Sequence, residues 1–133
     1  MLRYINVKSN NRNEFVDVTG SLNNELSEMG VMDGIVCLFV PHTSAAITIN
    51  EGADPSVRHD IISTLSRLIP KDAGYHHKEG NSDAHLKSSI IGASICVPIE
   101  EGRLVLGTWQ AVYFCEFDGP RHRRVGIKVL KAQ

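Results

Sequence analysis

Side chains capable of chemistry crowd into two stretches of this chain. The first, PHTSAAITINEGAD (41–54), begins around His42 and ends on Asn50, Glu51 and Asp54. The second, GYHHKEGNSDAHLKS (74–88), holds three of the six histidines together with Glu79, Asp83 and two lysines. His77 and His85 are eight residues apart, and His42 lies 35 residues before His77. Imidazole is the commonest neutral metal ligand, and three protein ligands with one open position characterise catalytic zinc. His42, His77 and His85 are therefore the candidate metal ligands. Glu79 or Asp83 would complete the shell or act as general base on a metal-bound water. A hydrogen-bonded polar network, or unrelated surface histidines, accounts for the same residues equally well, because the spacing matches no fixed zinc signature. His59 and His76 read as solvated.

Other residues extend the candidate site. Asp54 suits a helix N-cap and Asn50 and Gly52 suit a turn, which leaves Glu51 free for chemistry. Lys87 and Ser88 follow His85 and would hold an anion if Ala84 opens a short helix whose N–H groups face the site; a solvated lysine is the plainer account. Arg121–His122–Arg123–Arg124 is the only basic cluster, either a solvated turn or an anion-binding edge. Gln110 follows the only tryptophan, Trp109, which is either a core or interface anchor or the neighbour of a pocket. Thr43 and Ser44 lack a GxSxG elbow, so a serine-hydrolase triad is disfavoured. Neither GxxxxGK[ST] nor GxGxxG occurs.

The elements that must carry these residues are mostly strands. Strand patterns cover 2–8, 14–18, 34–40, 45–50, 93–99, 103–107, 110–117 and 124–130. GIVCLFV (34–40) is almost uniformly apolar, as expected of a strand covered on both faces. Helical spacing of Val57, Ile61, Ile62, Leu65, Leu68 and Ile69 predicts a helix over 55–69, capped by Asp54, opened by Pro55 and stopped by Pro70. A second helix over 20–29 ends at Gly30. Segment 74–88 has no apolar periodicity and is expected to be an ordered functional loop. About eight short strands and two helices give an α+β class, a compact antiparallel β-sandwich with helices on one side, in a single domain over 1–133.

Composition narrows the function classes. The 133 residues carry 14 basic and 15 acidic side chains, a net charge of −1, which disfavours nucleic acid and anionic membranes as partners. No apolar run approaches the ~20 residues that span a bilayer, and the N-terminus lacks the apolar core of a signal peptide. The expected location is cytoplasmic. Cys37, Cys96 and Cys115 each sit in an apolar, strand-like run without CxxC spacing, so they are expected to be buried and inert.

The strings PHTSAAITINEGADPSVRHD, YHHKEGNSDAHLKSSIIG, GRLVLGTWQAVYFCEFDGPRHRR and IKVL strongly resemble the YjbQ-like family, also called the secondary thiamine-phosphate synthase enzyme family. The likeness runs over nearly the whole chain. Its PHT[ST] motif falls on Pro41–Ser44, its INE-x-AD motif on Ile49–Asp54, and its GTWQ motif on Gly107–Gln110. Its Y-x-H-x-EGN-x-DAH-x-K motif falls on Tyr75–Lys87, and CEFDGPR on Cys115–Arg121. The resemblance implies a β-sandwich fold, a homotrimer, and a capacity to join hydroxymethylpyrimidine diphosphate to thiazole phosphate with loss of pyrophosphate. Such chemistry needs charge stabilisation, normally by a divalent metal (zinc, manganese or magnesium) and by Lys or Arg. Glu51, Glu79, Asp83 and Lys87 are then the expected catalytic residues. Asn50, Asn81, Ser88, Gln110 and Arg121 are expected to bind a small phosphorylated substrate. A metal-dependent hydrolase using the same histidines, and a non-catalytic trimer that binds a metal or small molecule, are the alternatives.

Overall fold

The computed structural model describes residues 2–133. Eight strands and three helices follow in the order β1 (Arg3–Lys8), β2 (Glu14–Asp17), α1 (Thr19–Met29), β3 (Gly34–Phe39), β4 (Ala45–Glu51), α2 (Pro55–Leu68), α3 (Ser82–Ile91), β5 (Ser94–Glu100), β6 (Arg103–Leu104), β7 (Gln110–Glu116) and β8 (His122–Lys131). All eight expected strands form, within a few residues of their anticipated ends.

Two antiparallel sheets face each other. One has five strands in the order β1-β8-β3-β5-β6, the other three in the order β2-β7-β4. Alternation sets which side chains meet between them. Val36 and Leu38 of β3, Val97 and Ile99 of β5, and Val125 and Ile127 of β8 point inward against Ile47, Val112 and Phe114 of the smaller sheet. α1 closes one end with Leu22 and Leu26, and stops at Gly30, whose φ of 67° is the left-handed conformation that glycine adopts freely.

A second apolar layer lies on the other face of the three-stranded sheet. Phe15, Ala46, Ala111, Tyr113, Cys115 and Phe117 point outward there and are covered by Ala84 and Ile91 of α3 and by Ile61, Ile62 and Leu65 of α2. The carboxylate of Asp54 accepts the Ser56 N–H at 2.9 Å, and Pro55 opens α2, as the sequence indicates. β7 is therefore buried on both faces, whereas β3 is not: Ile35 and Phe39 are about half exposed on the outer face of the larger sheet. An apolar run does not distinguish a strand with an open apolar face from one with two covered faces.

Two further expectations are corrected. The second half of segment 74–88 is helical: α3 starts at Ser82 with Asn81 at its N-cap. Among the cysteines only Cys115 is buried; Cys37 is half-buried and Cys96 exposed. Both lie on that same open face, where the β-pleat and not the surrounding apolar sequence decides exposure. Among the described residues, no helix is long and apolar enough to cross a membrane.

Candidate functional site

The polar ends of four elements converge at one edge of the sandwich. β3 runs out into Pro41–Ser44, α3 begins at Asn81, β7 ends before Asp118, and β8 starts just after Arg121. An open pocket of about 530 Å³ lies between them, lined by His42, Thr43, His77, Glu79, Asn81, His85, Asp118, Arg121 and Arg123 among others. The three histidines singled out by chemistry thus share one wall space, although they come from two distant segments.

Each imidazole is held differently. His85 Nδ1 lies 3.0 Å from the Thr43 carbonyl, which can only accept, so Nδ1 carries the proton and Nε2 keeps its lone pair. The His77 ring packs edge-on against His85 with centroids 5.4 Å apart, and His77 Nε2 is 3.8 Å from Glu79 Oε2. His42 is oriented the opposite way: the Arg124 N–H donates to its Nε2 at 3.2 Å, so its proton sits on Nδ1. Burial, with the nearby Arg123 charge, lowers the His42 pKa below 6.5, which makes it a neutral hydrogen-bond donor at pH 7.

The expected three-histidine ligand set is therefore not assembled. His42 has given its free lone pair to the backbone, and among the described residues no three His, Cys, Asp or Glu side chains stand close enough to hold a metal. His77, His85 and Glu79 are the donors with lone pairs to offer. Beside them, Asn81 Nδ2 donates to Asp118 Oδ2 at 2.9 Å while its buried Oδ1 has no partner among the described residues. A buried acceptor left unmet costs on the order of 1–3 kcal/mol, so this atom calls for a donor or cation from a ligand.

The pocket floor is a buried ion pair. Arg123 grips Glu116 with two bonds, Nε to Oε1 at 2.9 Å and Nη2 to Oε2 at 2.6 Å, and also donates to Ser44 Oγ at 2.9 Å. Ser9 Oγ and the Asp118 N–H donate to the same carboxylate. Burial opposes ionisation of Glu116, but these donors outweigh it and hold its pKa below the usual range. Arg121 stands at the rim, tethered by its Nε to the Asp118 carbonyl at 2.8 Å and by Nη2 to Asp118 Oδ2 at 3.1 Å, with its remaining side-chain N–H groups free of partners among the described residues. Sequence reasoning singled out the Arg121–Arg124 run and Ser44 but gave no role to Glu116, Asp118 or Arg12. The alternation in VYFCEF, which puts Glu116 on the inward side of β7 with Phe114, was the available signal for Glu116.

Several expected site residues lie elsewhere. Asp83 and Lys87 are on the face of α3 turned toward the sheet, fully buried, where Arg12 Nη1 and Nη2 each donate to Asp83 at 2.9 Å and Lys87 Nζ lies 3.3 Å from it. They support α3 from beneath and do not line the pocket. Ser88 lines an adjoining pocket with His42, Thr43 and His85, and its buried Oγ has no partner among the described residues. Asn50, Glu51 and Gln110 sit at the far end of the small sheet. There Glu51 pairs with Gln110, whereas Ala45 pairs with Glu116 at the pocket end. Six residues of strand separate the two ends by roughly 20 Å. Glu51 Oε2 accepts from the Ala53 N–H and Gln110 Oε1 from the Gly107 N–H, so both close local turns. Trp109 is about two-thirds exposed and is no core anchor.

Residues 3–132 match the family model described as UPF0047 protein YjbQ-like. A UPF0047 protein of Methanocaldococcus jannaschii is 53% identical over 130 residues, covering 98% of this chain and 94% of that protein. UPF0047 protein YugU of Bacillus subtilis is 46% identical, covering 98% of this chain and 99% of its own length. Among solved structures, an uncharacterised YjbQ/UPF0047 protein of Clostridium acetobutylicum superposes with a TM-score of 0.93 at 48% identity, covering 96% of this chain and 99% of its own.

Proposed function

This chain belongs to the YjbQ-like UPF0047 family, and we propose that its His42–His85–Arg121 pocket binds a small phosphorylated molecule. The observation that carries this reading is the set of unspent donors in one open pocket. Arg121 has free N–H groups, His42 presents Nδ1–H, and α3 begins at the pocket with Asn81 as its N-cap. Guanidinium N–H groups and a helix N-terminus both favour phosphate oxygens. The unmet Asn81 Oδ1 would accept from a hydroxyl or amine elsewhere on the same ligand.

The first reaction to assay is the joining of hydroxymethylpyrimidine diphosphate to thiazole phosphate. In that reaction Arg121 and His42 would take up charge on the departing pyrophosphate, and Arg123, neutralised by Glu116, would hold the floor rigid. A divalent ion, zinc, manganese or magnesium, is a second reading: His77, His85 and Glu79 keep lone pairs for it, but they do not stand close enough together to hold it as they are, so the ion would have to draw them in. When bound there it would neutralise phosphate charge. Hydrolysis of one phosphorylated substrate is the alternative reaction for the same residues. The homotrimer is proposed on the same footing as the activity.

Titration calorimetry with inorganic phosphate, pyrophosphate and thiazole phosphate tests the binding reading directly. Loss of a charge-assisted contact worth about 1.5–3 kcal/mol predicts at least tenfold weaker binding in Arg121→Ala. Gln110→Ala, some 20 Å away by strand rise, should bind as the wild type does. Equal affinity of wild type and Arg121→Ala for all three ligands would overturn the reading. Product analysis then separates the reactions, since coupling consumes both substrates and hydrolysis needs one.

A further inference from the structure

Cys37 and Cys96 are direct cross-strand partners on β3 and β5. The ladder around them fixes what kind of pair they make. The Val40 N–H donates to the Ala93 carbonyl at 2.8 Å in the same register, and Ile35 faces Pro98, which has no N–H to give. Hydrogen bonds between β3 and β5 therefore fall at the even-numbered residues of β3. Cys37 and Cys96 occupy a non-hydrogen-bonded position, where Cα atoms are only about 4.5 Å apart and side chains approach most closely. That spacing falls within the range of about 4.4–6.8 Å that disulfides span, at its short end.

The surroundings suit a reactive dithiol. Both residues point away from the core on the open face of the five-stranded sheet, Cys96 exposed and Cys37 half-buried. Burial raises the Cys37 thiol, and the Cys96 sulfur beside it raises it further, the mark of two thiols close enough to resist ionising together. Lys128 is the register partner of Cys37 on the other side, on β8. The third cysteine is a contrast: Cys115 is fully buried and burial drives its thiol far above the usual range.

We propose that Cys37 and Cys96 form a thiol–disulfide exchange site that closes into a cross-strand disulfide on contact with a small disulfide such as oxidised glutathione. The exposed Cys96 thiolate attacks one sulfur of the incoming disulfide, forming a mixed disulfide and releasing one small thiolate. Cys37 then attacks the Cys96 sulfur, releasing the second. Protein dithiol is oxidised to disulfide, the small disulfide is reduced to two thiols, and the two protons pass to the released thiolates. The bond would staple β3, which delivers Pro41–Ser44 to the pocket, to β5, which follows α3 through Gly92 and Ala93.

The test is to incubate the reduced full-length protein with oxidised glutathione and follow free thiols and intact mass. The expected result is a fall from three free thiols to one, a mass lower by two hydrogens with no glutathione adduct, and a proteolytic fragment linking Cys37 to Cys96. Dithiothreitol should restore all three. Cys37→Ser should stop at a stable glutathione adduct on Cys96, because the closing thiol is gone. A stable Cys96 adduct in the wild type, or three unreacted thiols in the folded protein, would overturn the proposal.

Discussion

Arg12 and Asp83, 71 residues apart in the chain, meet in a two-pronged ion pair with both bonds at 2.9 Å. Lys87, one helical turn beyond Asp83, adds a second cation at 3.3 Å and rests on Asn13 Oδ1 at 3.2 Å. The β1–β2 connection is thereby bolted to α3, the helix that carries His85 and Asn81.

Removing the charge of Asp83 should loosen that bolt in a pH-dependent way. Burial works against the carboxylate, but Arg12 and Lys87 outweigh it and hold the pKa at about 2, down from 3.8. A carboxyl whose pKa falls on folding stabilises the protein fully above its unfolded value, and that stability drains away as pH falls toward the folded value. Asp83→Asn should therefore cost about 3 kcal/mol at pH 7, where it strands two cations. Urea melts at pH 7, 4 and 2.5 should show the gap between wild type and variant closing as pH drops.

His42 should titrate below 6.5, since burial and Arg123 favour its neutral form. A bound phosphate reverses part of that cost and should raise the midpoint. Ring-proton NMR across pH 4–8, a window that contains the ordinary histidine value of about 6.5, with and without phosphate, reads both effects. A midpoint unchanged by saturating phosphate would place the anion away from His42.

Gly119 packs where no side chain fits. An added Cβ would collide with the Asn11 carbonyl and lie 2.7 Å from Ser9 Oγ, the hydroxyl that bonds Glu116. Gly119→Ala should cost on the order of 1–3 kcal/mol and weaken phosphate binding by displacing Arg121. Thermal melts and calorimetry on the same sample check both.

Elemental analysis of the purified protein decides the second reading of the pocket. A divalent ion that draws His77, His85 and Glu79 together should appear at about one per chain and vanish in His77→Ala/His85→Ala. His42→Ala should retain it, because the His42 lone pair is committed to the Arg124 N–H.

The strands and two of the helices were legible because apolar residues recur at the spacing of their buried faces. α3 was not. The face it buries includes Asp83, Ala84, Lys87 and Ser88, and a buried ion pair breaks the apolar rhythm from which a helix is read. The same substitution of charge for apolar contact made Asp83 and Lys87 look catalytic. His42, His77, His85 and Arg121 were identified from residue type, and Asn81 from the family resemblance; all five share a pocket. Glu51 and Gln110 were grouped with them by motif, but β4 and β7 carry them to the opposite end of the small sheet. Sequence proximity to a site residue says little when a strand runs straight away from it.

β8 lies between β1 and β3, so the last strand made is the one that joins the first to the middle of the large sheet. During synthesis β1 and β3 wait without their shared neighbour, and the inner apolar residues of both stay uncovered until residues 122–131 clear the ribosome. Truncation at the C-terminus, even by one strand, would leave a chain with two unpaired edges and a half-built core, the form most prone to aggregate.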